Sequence, residues 1–209
     1  MTQRGARTSA AGPAALPAPA QIDRCRRCDL WRRATQGVAG EGAARADIVV
    51  VGEQPGDSED RVGRPFVGPA GRLLDQLLLE AGLKRSEVFV TNAVKHFKWE
   101  LRGKRRLHRR PTAGEIDACH FWLEREILAI QPRVVIALGA SAARSVLGRT
   151  TSIDAARGRA LGQPGGARIF VTYHPSAVLR ADAAAARLRS LLVQDLKRAA
   201  QALVNPGRT

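Results

Sequence analysis

Asp47-Ile-Val-Val-Val-Gly52-Glu-Gln-Pro-Gly56 is a short unbroken apolar run that stops at a glycine. Runs of this length, too short for a helix and rich in β-branched residues, are what strands covered on both faces look like, and such strands belong to parallel sheets. Pro55 and Gly56 enforce a tight turn at its carboxyl end. Glu53 and Gln54 therefore stand over the crevice where open parallel sheets take their ligands. Three further runs repeat the pattern: Val88 to Val94, Arg133 to Gly139 and Ile169 to Tyr173. Between them lie helical patterns. Leu73, Leu74, Leu77, Leu78 and Ala81 share one face of a helix from Pro69 to a Gly82 cap. A second helix opens at Thr112 or Ala113 and runs to Ile130, with Glu115 in its first turn. Ser141 can cap a third, from Ala142 to Leu147, and Ala181 to Val204 reads as a fourth. Residues 148–167 form a Gly-rich basic connection with room for a short strand. This alternation predicts a three-layer α/β/α fold on a central four-stranded parallel sheet, with the turns after strands one, two and four converging on one side.

The chain has 209 residues, 44% of them hydrophobic, which suits one compact domain with a real core. Residues 1–20, rich in Ala, Pro and Gly, read as a disordered leader, 21–204 as the domain and 205–209 as a tail. Net charge is +15 and the basic residues cluster, which favours an acidic polymer, most plausibly nucleic acid, as partner. Three cysteines cannot form a closed disulfide framework. No apolar run approaches the ~20 residues of a membrane helix, so the reading is a monomer in a reducing cytoplasm.

Thr91 to Cys119 carries the densest chemistry. Asn92 stands near the end of the second strand, followed by His96, a basic loop from Arg102 to Arg110 with His108 inside it, and Cys119 on the next helix. Upstream, Cys25-Arg-Arg-Cys28 leads into a short helix; a C-x-x-C pair can be a redox dithiol or half of a zinc or iron–sulfur site. No strand precedes it, which argues against the thioredoxin arrangement. Gly63-Arg-Pro-Phe-Val-Gly68 is a rigid loop with one aromatic between glycines, and His174-Pro175-Ser176 follows the fourth strand.

Gly52-Glu-Gln-Pro-Gly56, Gly63 to Gly68, Thr91-Asn-Ala-Val-Lys95 and His174-Pro-Ser176 together resemble the uracil-DNA glycosylase superfamily, in particular its iron–sulfur family four, in the family's order from about Cys25 to Leu203. Two departures stand out. His96 occupies a position where family four usually has Cys, and the segment after it is longer and carries Lys104-Arg-Arg-Leu-His108. Both resemble the UdgX branch, whose members excise uracil and stay covalently joined to the DNA; Leu107 stands where that branch often has Ile.

The resemblance implies uracil-containing DNA, preferably single-stranded, as the substrate, since the base must leave the stack to be reached. Phe66 would wall the base and Asn92 would read its edge with a donor and an acceptor. Gln54 would help hold it. Glu53 would face the electron-poor sugar, His174 the leaving base, and Ser176 a phosphate. His108 would attack the sugar, while Lys104, Arg105 and Arg106 neutralise phosphates. Cys25, Cys28, His96 and Cys119 would hold a 4Fe–4S cluster, although the same ligand set suits zinc. Two rivals stand beside this reading: a conventional glycosylase that turns over, and a non-catalytic module that only holds uracil DNA.

Overall fold

The computed structural model describes residues 14–162 and 166–204; the tail and most of the leader lie outside the described residues. A helical turn, α1 (Pro19–Asp23), begins two residues before the expected end of the leader. In chain order there follow β1 (Glu41–Gly42), β2 (Ile48–Gly52), α2 (Asp57–Val62), α3 (Pro69–Glu80), β3 (Val88–Asn92), β4 (Trp99–Arg102), β5 (Arg105–His108) and α4 (Ala113–Ile130). The chain ends with β6 (Val134–Leu138), α5 (Ala140–Leu147), α6 (Ile153–Ala156), β7 (Leu161–Gly162), β8 (Arg168–Thr172), α7 (Pro175–Leu179) and α8 (Ala185–Val204). Among the described residues, no helix is long and apolar enough to cross a membrane.

The main sheet has six strands rather than four, in the order β1-β3-β2-β6-β8-β7. The four expected strands are its parallel centre, and β1 and β7 add antiparallel edges. Each edge strand is two residues long, too short to leave a periodic trace in the sequence. Alternation along the buried strands divides the core. Ile48, Val50, Val88, Val90, Val134 and Ile136 pack with α3 and α8, while Val49, Val51, Phe89, Val135 and Ala137 pack with α4 and α5. The parallel part of the sheet begins at its middle, at β2, and the strand order reverses direction there. Such a switch point leaves a crevice above the carboxyl ends of β2 and β6.

Two local expectations change. The basic loop is an antiparallel hairpin, β4–β5, pairing Trp99 with His108 and Leu101 with Arg106. Gly103, at φ 60°, makes its turn. The run was too short and too charged to show an apolar alternation. α5 starts at Ala140, directly after Gly139, whose φ of 88° lets the chain turn straight from strand to helix. Ser141 therefore lies inside the helix, with its hydroxyl free for other work. Thr112 does cap α4, accepting from the Glu115 amide at 3.3 Å, and Glu115 returns to the Thr112 amide at 2.6 Å.

One charge pair lies wholly inside. The Lys95 side chain is 0% exposed and Glu126, on α4, 2%. Lys95 Nζ donates to Glu126 Oε2 at 2.6 Å, Thr91 Oγ1 at 2.6 Å and the Asn92 carbonyl at 2.9 Å, and the Gly40 amide donates to Glu126 Oε1 at 2.9 Å. Removing one member leaves the other charged and dry. Lys95→Met should therefore lower unfolding free energy by about 3–5 kcal/mol. The double variant Lys95→Met/Glu126→Leu should recover part of that loss in urea denaturation.

Candidate active site

Glu53 follows β2 immediately and leans across the switch-point crevice. Its Oε2 accepts from the Ser141 hydroxyl at the start of α5, and its Oε1 lies 3.2 Å from His108 Nε2 on β5. Arg110 Nε stands 3.7 Å from Oε2. Burial raises the carboxyl pKa, but hydrogen bonds from His108 and Ser141 and the nearby His108 and His174 outweigh it, so the pKa falls below the ordinary value. Ser141 is the residue the sequence reading missed. The turns after strands one, two and four were read for chemistry and that after strand three was not, yet all four end on the same side.

Beside Glu53, Asn92 and Phe66 meet over Gly52. A Cβ on Gly52 would run into both the Asn92 carboxamide oxygen and the Phe66 ring, so only glycine lets these two meet at the end of β2. Asn92 is 3% exposed, and among the described residues its carboxamide has no hydrogen-bond partner. Phe66 adopts φ 57°, unusual for a bulky residue, and stacks with His174 at a centroid distance of 6.3 Å and an angle of 26°. The loop carrying it is held by Glu59, which accepts from the Gly68 amide at 2.7 Å and the Gly56 amide at 3.1 Å.

His174 caps α7. Its Nδ1 accepts from the Ser176 amide at 3.1 Å and contacts the Ser176 hydroxyl at 2.7 Å. An accepting Nδ1 puts the proton of the neutral ring on Nε2, which is then a donor. Desolvation pushes its pKa down to about 4; Glu53 pulls it up, and Arg180 and His108 push it further down. Ser176 is thus engaged with His174.

Two side chains expected at the DNA are engaged within the fold. Gln54 was expected to hold the base. Instead its amide nitrogen donates to the Lys98 carbonyl at 3.2 Å and the Arg109 carbonyl at 3.0 Å, and its oxygen accepts from the Lys98 amide at 3.1 Å. The side chain is used up clamping the two arms of the hairpin. Arg106 was expected on phosphate. Its guanidinium turns inward to Asp57 at 2.5 Å and to the fully buried Asp60 at 2.6 Å, over the Phe97 and Trp99 rings. Lys104 and Arg105, at the hairpin tip, are exposed and form no ion pair among the described residues.

The three cysteines gather just beyond the carboxyl end of β3, beside Val94 and Lys95. Cys25, Cys28 and Cys119 share one apolar cluster with Ile22, Leu30, Val94 and Trp122. His96 is buried, and desolvation lowers its pKa. Desolvation pushes the Cys119 thiol up to about 12, against the pull of Lys95, whose amide donates to Cys119 Sγ at 3.2 Å. Such a thiol ionises only when a cation compensates. The donor chemistry fits a metal centre, but among the described residues no three of these side chains close on a common point.

A family profile for the uracil DNA glycosylase superfamily matches residues 39–197. A Type-4 uracil-DNA glycosylase of Sulfurisphaera tokodaii is 36% identical over 196 residues, spanning 90% of this chain and 84% of that protein. One of Thermotoga maritima is 37% identical over 188 residues, spanning 90% and 93%. A Type-5 uracil-DNA glycosylase of Pyrobaculum aerophilum is 32% identical over 169 residues, spanning 72% and 70%.

Acid should destabilise this site from two directions. The unfolded chain protonates His174 near its ordinary 6.5, whereas the native ring resists until about 4. Native Glu53 likewise stays ionised below its ordinary 4.5. Stability contributed by both groups is present at pH 7 and is lost as pH falls through these windows. The melting temperature should drop between pH 6.5 and 4, and His174→Gln should flatten that slope. An unchanged slope in the variant would contradict the assignment.

Proposed function

The chain belongs to the uracil DNA glycosylase superfamily, and we propose that it removes uracil from DNA and then remains joined to the abasic sugar through His108. It is a uracil-DNA glycosylase. The finer reading rests on one observation, the contact of His108 Nε2 with Glu53 Oε1 at 3.2 Å above the strand ends. A nucleotide out of the stack would place its base against Phe66, with the free carboxamide of Asn92 at its edge. The bond from C1′ to the base breaks with its electron pair going to uracil. His174 Nε2–H donates to the oxygen that gathers this charge, and the Glu53 carboxylate faces the cationic sugar. One nitrogen of a neutral His108 then bonds to C1′, and the proton on the other passes to Glu53. The alkylated imidazole is a poor leaving group, so the enzyme is spent. Single-stranded DNA, met by a monomer in the cytoplasm, is the substrate that needs no base pair opened. Lys104 and Arg105 neutralise its phosphates.

Cys25, Cys28, Cys119 and His96 would hold a 4Fe–4S cluster, which would supply cross-linking between the N-terminal segment, β3 and α4 rather than a chemical step. The buried thiol of Cys119 with its amide donor supports this part. A conventional enzyme that turns over is the second reading, favoured by the full-length similarity to proteins named Type-4.

A denaturing gel separates the two. Wild type incubated with a single-stranded uracil oligonucleotide should give an SDS-resistant protein–DNA band, and His108→Ser should release uracil with no such band. Wild type releasing uracil without a band would return the protein to the turnover class. Aerobically purified protein should be brown with a broad visible absorbance, and colourless protein with stoichiometric zinc would overturn the iron assignment.

A further inference from the structure

Aromatic residues are scarce in this chain, and it has only 3 Trp. Trp122 is buried in the sulfur-containing cluster. Trp31 and Trp99 belong to none of the three apolar clusters; both are half-buried at the surface. Each has guanidinium groups over its ring. Arg26 lies 4.1 Å and Arg32 5.0 Å from the Trp31 centroid, and Arg33 lies 4.7 Å and Arg106 5.3 Å from that of Trp99. The two rings are joined, since Trp99 Nε1 donates to the Arg33 carbonyl at 2.8 Å. Trp99 also pairs directly across the hairpin with His108, and residues paired in this way point to the same face of the ribbon. A strip of indole and guanidinium planes thus leads away from His108, over the segment after Cys28.

Packing uses only part of this strip: Trp99 is held by Arg33 and Arg106, while Trp31, among the described residues, meets only guanidinium groups of its own segment. Large rings at the surface gain little from burial there, and the segment gathers Arg24, Arg26, Arg27, Arg32 and Arg33 against Asp23 and Asp29. Flat π-faces alternating with fixed cations are what single strands bind without sequence preference, bases stacking on rings and guanidinium planes while phosphates are neutralised. A duplex keeps its bases inside and could use only the charges.

Building on the glycosylase reading, we propose that the unpaired strand flanking the uracil runs from the hairpin across Trp99 and Arg33 to Trp31, where a base stacks. The enzyme then holds several nucleotides on one side of the lesion, and Trp31 sets its preference for unpaired flanks.

The test uses full-length protein and single-stranded oligonucleotides whose uracil carries about two or about ten nucleotides on the 5′ or the 3′ side. Wild type should release uracil from the shortest substrate. Lengthening one flank should raise the single-turnover rate of uracil release at sub-saturating DNA about tenfold at low salt, the scale of losing one stacked base. Trp31→Ala should match wild type on the shortest substrate and lose the gain, and Trp31→Phe should keep most of it. A full flank gain in Trp31→Ala would overturn the proposal. Photo-cross-linking of wild type to a 5-iodouracil placed in the longer flank needs only binding and no variant. Adducts at Trp31 or Trp99 support the strip, and adducts confined to other surfaces overturn it. Failure to release uracil from any substrate would refute the glycosylase reading, while the cross-links would still decide the path.

Discussion

Lys95 is a charge that has left water, and much of the site hangs from it. Its ammonium finds three oxygens, from Thr91, Asn92 and Glu126, in a dry interior. Such a group is tolerable only where geometry supplies every partner. Those partners come from the end of β3 and the middle of α4, and Glu126 reaches on to Gly40 of the N-terminal segment. The Lys95 backbone amide meanwhile points to Cys119. One residue thereby fixes the register of β3 against α4, sets the backbone at Asn92, and ties the sulfur-bearing lobe to the crevice. Displacement of any one of these elements would strand a charge, and this makes their relative position specific.

The same logic orders the acidic residues of a chain with net charge +15. Asp57 and Glu53 lie at the face expected to meet DNA, with Asp60 buried behind them, and free carboxylates there would repel phosphate. None is left free. Asp57 and Asp60 are consumed by Arg106, Asp60 with further bonds from Thr35, and Glu53 by His108 and Ser141. Lys104 and Arg105, at the tip of the hairpin, are exposed and form no ion pair among the described residues. Local charge pairing thus separates an inner layer that positions from an outer layer that can bind.

What could be read from sequence follows the range of the interaction that decides each feature. The buried strand at Ile48–Gly52 and the capping pair Thr112/Glu115 are local, and period and spacing were enough to find them. The convergence of Glu53, Asn92, Phe66 and His174 was readable because the parallel-sheet rule sends every strand end to one side. The roles of Gln54, Arg106 and Ser141 were not. Each is decided by a partner 31 to 88 residues away, or by a hydrogen bond such as Gln54 to Arg109, that no spacing rule contains. The hairpin was hidden for another reason. Its stability comes from cation–π stacking and ion pairs to α2 instead of from an apolar face, so the alternation that marks ordinary strands is missing.

That hairpin shows how Arg106 and Gln54 position His108. Arg106 and His108 are two apart on β5 and therefore project from the same face. Pinning Arg106 to Asp57 and Asp60 aims His108 at Glu53; a one-residue slip in register would turn both outward. The slip is opposed at the base as well, where Gln54 grips Lys98 on one arm and Arg109 on the other. Gln54 is adjacent in sequence to Glu53, so the clamp and its target share one rigid turn after β2. The position of His108 is thus referred to the same strand end that carries Glu53, and the two groups keep their distance even though the hairpin lies on the surface.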